Sequence, residues 1–132
     1  MELESGVPYR SLILATAPSD QPPPTEEAIR KSSQEIVAHN DPLAHAALTR
    51  AGRELAVMDS QMVAVGVPAL AIVGTADPTA AGVKALKTAW PALQMMTVEG
   101  ATHWGDRGIL IRPEFTRDLR EFIAAHPGKS GK

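Results

Sequence analysis

Two polar turns hold the residues best equipped for chemistry. Asp77 stands in GTADP (74–78) and His103 in GATHWG (100–105), each directly after an apolar run of strand length, VPALAIVG (67–74) and LQMMTVEG (93–100). A histidine oriented by a carboxylate is a general base: the acid fixes the ring tautomer and stabilises the imidazolium formed when the ring takes a proton from a nucleophile. The two positions lie 26 apart, room for one crossover helix and one strand. Each also has a plainer role by type alone. Asp77 could bond its own turn backbone, and His103 could pack on Trp104 and bond a carbonyl. The other histidines carry less chemistry: His39 and His45 are six apart and not on one helical face, and His126 falls in a helix's last turn, where a cation suits the dipole. No pair has metal-ligand spacing, so no zinc or iron site is expected.

The elements that must position Asp77 and His103 follow from apolar periodicity. Arg10 to Thr16 (RSLILAT) is a continuous apolar run, the pattern of a strand buried on both faces of a parallel sheet. PSDQPPPT (18–25) has four prolines among eight residues and reads as a surface crossing. Thr25 caps a helix with Glu26 and Glu27 in its first turn, running to about Asn40. Asp41 and Pro42 start another, with Ala44, Ala47, Leu48, Ala51 and Leu55 on one face. A shorter helix is expected around Asp59 to Val65. Pro68 to Gly74 is the second strand. Val83, Leu86 and Trp90 mark the crossover helix from Thr79, and Leu93 to Glu99 is the third strand. A last helix from Pro113 buries Phe115, Leu119, Phe122 and Ile123, and the tail GKSGK is expected to fray. The expected fold class is α/β, a three-stranded mainly parallel sheet flanked by helices, with both turns emerging at one carboxyl edge, where ligands of open α/β sheets bind.

Composition narrows the function classes. The 132 residues suit one domain, with 44% apolar and 21% charged side chains, and 13 basic against 15 acidic residues give a net charge of -2. Nothing in that balance draws nucleic acid or anionic lipid. Cysteine is absent, which removes disulfides, thiolate metal sites and a Cys nucleophile together. The amino terminus has no signal-peptide pattern, and the apolar stretch from Met62 to Val73 is too short to span a bilayer. A soluble cytoplasmic protein is expected. Neither GVP nor GTADP makes a G-x-G-x-x-G turn, so a dinucleotide-binding module has no support.

VPALAIVGTADP, a helix, MMTVEGATHWG and then RPEFTRDLREFI together resemble the carboxyl-terminal part of the α/β-hydrolase fold family. The resemblance implies that residues 1–132 form a single partial domain: 1–16 containing the family's sixth strand, 17–67 a helical cap-like insertion, and 68–127 strand, helix, strand and last helix. It implies Asp77, in its Gly74-x-x-Asp77 turn, as triad acid and His103 as base. Asp20 is the alternative acid, since some members place it after the sixth strand. The family's nucleophile lies in a G-x-S-x-G turn, with an adjacent oxyanion hole. None of the seven serines here has glycines at both positions two residues away. Ser19 shares the expected sheet edge but lacks a glycine turn to supply oxyanion donors. The implied function is the C-terminal portion of an esterase- or lipase-like acyl hydrolase acting on a small ester-like substrate, requiring no cofactor and completed by an N-terminal half. The alternative is a non-catalytic truncated or interaction protein on the same scaffold. Residues 10–16 would then be an edge strand for a partner chain or homodimer to cover.

Overall fold

A parallel strand pair cannot be joined by a hairpin; it needs a crossover of a dozen or more residues, and the chain between residues 70 and 98 supplies one. In the computed structural model, which describes residues 7–127 apart from the side chain of Arg53, the elements in chain order are α1 (Arg10–Ala15), α2 (Glu26–His39), α3 (Pro42–Glu54), α4 (Asp59–Val63), β1 (Leu70–Gly74), α5 (Ala80–Ala89), β2 (Gln94–Val98) and α6 (Pro113–Ala125). Residues 1–6 of the amino-terminal segment and the GKSGK tail lie outside the described residues. β1 and β2 pair in parallel, Leu70 opposite Gln94 through Gly74 opposite Val98. α5 packs on β1, and α6 packs against both strands.

The sheet has two strands, not the three expected from sequence. Arg10 to Thr16 supplies the difference, because it forms the helix α1 rather than a strand. Short apolar runs are ambiguous between buried strand and helix, and two leucines and an alanine are good helix formers. Local partners decide the matter. α1 packs on α2, and the Arg10 guanidinium forks onto both Glu26 carboxylate oxygens at 2.5 and 2.6 Å. The expected edge strand at 10–16 is therefore absent, and with it the edge that a partner chain was expected to cover.

The helix signals act as their residue types dictate. The Thr25 hydroxyl accepts from the Ala28 amide, and the Asp41 carboxylate from the Leu43 and Ala44 amides, each satisfying donors that a first turn leaves open. The core is small: Tyr9, Ile29, Val73, Ala76, Leu93, Val98 and Ala101 are its buried apolar residues among those described. α6 departs from expectation, with Phe115 and Phe122 half-buried but Leu119 and Ile123 exposed. Two strands about 4.8 Å apart cannot cover the whole apolar stripe of a helix about 10 Å across. No helix among the described residues is long and apolar enough to cross a membrane.

Candidate functional site

The ladder between β1 and β2 continues past the strand ends and stitches the two turns together. The Thr75 amide donates to the Val98 carbonyl and the Ala76 amide to the Ala101 carbonyl, both at 3.0 Å. The Thr75 hydroxyl accepts from the amide of Gly100, which turns the chain at φ 65°. Gly74 is required at this crossing. A Cβ there would lie 2.0 Å from the Ala101 carbonyl oxygen, far inside contact distance. These bonds leave Asp77 and His103 facing one another. His103 Nδ1 lies 2.8 Å from Asp77 Oδ2, the bond that the sequence spacing allows.

Asp77 is buried, 4% exposed, and its other oxygen, Oδ1, accepts from the Thr79 amide at 2.8 Å and the Thr79 hydroxyl at 2.7 Å. Burial alone would raise the pKa of this carboxyl. The hydrogen bonds from Thr79 and His103 outweigh burial and hold it below its ordinary value of 3.8. An ionised Asp77 only accepts, so His103 Nδ1 donates to it, and the neutral ring then has its lone pair on Nε2. Nε2 has no hydrogen-bond partner among the described residues, and the side chain is 32% exposed. The Trp104 ring meets the imidazole edge-on, centroids 4.5 Å apart. The loop is closed behind the histidine. The Thr102 amide donates to the Arg107 carbonyl and the Ile109 amide to the Thr102 carbonyl, while the Thr102 hydroxyl donates to the Trp104 carbonyl.

Thr79 was not singled out in the sequence, although the Asp-Pro-Thr order is a signal: an aspartate that bonds the backbone two residues on is common turn chemistry. Here that plain role and the pairing with histidine coexist, because each uses a different carboxylate oxygen. Ser19 does reach the same edge, its amide donating to the Ala76 carbonyl at 2.9 Å. Its exposed hydroxyl makes no hydrogen bond to His103. Asp20, the alternative acid, engages the Arg107 guanidinium at 2.8 and 3.0 Å instead of the histidine. His126 bonds the Phe122 carbonyl through Nδ1 and packs on the Phe122 ring; the His45 ring packs on Tyr9. Among the described residues no three His, Asp or Glu side chains gather as metal ligands.

The arrangement can accept a proton at Nε2 while Asp77 stabilises the resulting cation. It can equally return that proton to a leaving group. A cleft of about 380 Å³ lined by Val7, Arg30, Ser33 and Val37 lies against α2, away from this pair. No family model matches the chain, and no curated protein and no solved structure matches it.

Proposed function

We propose that this chain is the acid-base portion of an α/β-hydrolase-like acyl hydrolase, with Asp77 orienting His103 and His103 serving as general base and then general acid. The nucleophilic serine belongs to a segment outside these 132 residues. The reading rests on one observation, the 2.8 Å contact between His103 Nδ1 and the buried Asp77 carboxylate. Its chemistry is that of two members of a triad. Nε2 removes the serine proton as oxygen attacks the ester carbonyl, and the protonated ring then delivers that proton to the leaving alkoxide. The cap-like segment of α2 to α4 would bound the acyl pocket. Cytoplasmic location is part of the same reading, since a chain with no cysteine suits a reducing compartment.

p-Nitrophenyl acetate tests the reading. The isolated chain should give no burst, only slow turnover that disappears in His103→Ala, and a fluorophosphonate should label no serine. When the chain is joined to a segment bearing strands and a G-x-S-x-G turn, a burst and stoichiometric labelling of that serine are expected. Labelling of Ser19 would sink the assignment of the nucleophile, and turnover that survives His103→Ala would sink the base.

A second reading, a non-catalytic interaction protein, is favoured by the apolar side chains of α3 and α4. Leu43 and Leu48 on α3 are 68% and 70% exposed, and Val63 on α4 is 60% exposed. This reading expects the joined protein to remain inert while still binding its partner.

A further inference from the structure

We propose that Asp20 and Arg107 form a clasp that positions His103 against Asp77, a role that rests on reading this pair as the acid and base. The contacts make a closed circuit. From Asp77 the backbone leads to Ala76, whose carbonyl accepts the Ser19 amide. The next residue, Asp20, receives both bonds of the Arg107 fork. Arg107 in turn accepts the Thr102 amide at its own carbonyl, and residue 103 returns to Asp77 through the imidazole. The same guanidinium reaches back to the Gly100 carbonyl at 3.4 Å, so one side chain spans both ends of the histidine loop.

The loop needs such a tie. His103 sits between two glycines that turn with positive φ, Gly100 at 65° and Gly105 at 77°, where the chain has little intrinsic stiffness. Apart from the imidazole, the hydrogen bonds that hold it to the β1 end come from its first residues, Gly100 and Ala101. A bidentate guanidinium–carboxylate pair fixes direction as well as distance, unlike a lysine's point charge. Asp20 thus acts at the carboxyl edge without touching the histidine, as a positioning residue that anchors the proline-rich crossing to the loop.

The Nδ1 proton of His103 reports the contact directly, because its exchange with water, measured by saturation transfer on its low-field proton resonance, requires the Asp77 bond to open. In the full chain, Asp20→Asn and Arg107→Met should each speed this exchange roughly two- to five-fold, the ratio a partly exposed ion pair supports. Arg107→Lys should fall between Met and the parent. Glu26→Gln breaks a fork of similar geometry between α1 and α2, one that makes no hydrogen bond to the Asp77 or His103 turns, and should leave the exchange unchanged. Unchanged exchange in both clasp variants, with parental melting curves, would overturn the proposal, as would an equal effect from Glu26→Gln. An intact resonance that responds to the clasp in a protein that never acylates would remove the hydrolase reading alone.

Discussion

A carboxylate shut away from water is unfavourable unless hydrogen bonds replace its hydration, and Asp77 receives three, two from Thr79 and one from His103. Asp77→Asn leaves the shape but puts an amide donor where donors already point, towards Thr79 or towards the imidazole N–H. The expected loss of stability at pH 7 is about 2–3 kcal/mol. Its pH dependence has a definite sign. The folded carboxyl titrates below the 3.8 of an ordinary aspartate, so its contribution is fully present above 3.8 and is lost as pH falls through the lower, folded value. Urea titrations of parent and variant should therefore show a gap at neutral pH that closes in acid below 3.8. A gap that persists undiminished to the most acid condition would mean that Asp77 is not held ionised.

At the scale of elements, Gly74 is what lets the turn after β1 and the turn after β2 touch. In Gly74→Ala the new methyl would meet backbone, with the Ala101 carbonyl carbon at 2.4 Å as well as its oxygen, so neither neighbour can swing aside without breaking the bond from the Ala76 amide. The cost should be about 3 kcal/mol, together with loss of the low-field His103 proton. Gly82→Ala is the matched control. Gly82 lies within α5 with nothing near its absent Cβ, and alanine there should stabilise by up to about 1 kcal/mol. Denaturant midpoints of the two variants measured together check both signs, and equal shifts would contradict the crossing described for Gly74. The same turn shows what was legible beforehand. Glycine, a two-residue gap and aspartate after an apolar run placed Asp77 at a strand end, because turn chemistry is local and written in residue type. Thr25, Asp41 and Pro42 marked helix starts for the same reason. RSLILAT failed that test: its outcome depended on the Glu26 carboxylate 16 positions away, which no window of the run contains. The Asp20–Arg107 fork, 87 positions apart, was out of reach of any local pattern.

Among the described residues, more large apolar side chains are exposed than buried. Parallel strands normally have both faces covered, yet here two strands support two helices, while the apolar positions of α3 stay outward. Leu48 is 70% exposed and Leu55, just beyond the helix, 76%. Leucines that contribute to the core cost several kcal/mol when replaced by a charge, whereas surface positions change stability by no more than about 0.5 kcal/mol. Leu48→Glu and Leu55→Glu should therefore leave the denaturant midpoint of the chain nearly unmoved, and the double variant likewise. What should change is the response to anilinonaphthalene sulfonate, a dye that brightens on exposed apolar surface. Its fluorescence with the parent chain should exceed that with the double variant, since a contiguous apolar face is interrupted by two charges. A double variant that unfolds would show that α3 packs its leucines against the rest of the chain. Equal dye response in a folded variant would place the exposed apolar surface elsewhere, with Met58, Val67 and Ile111, each more than 65% exposed, next in line.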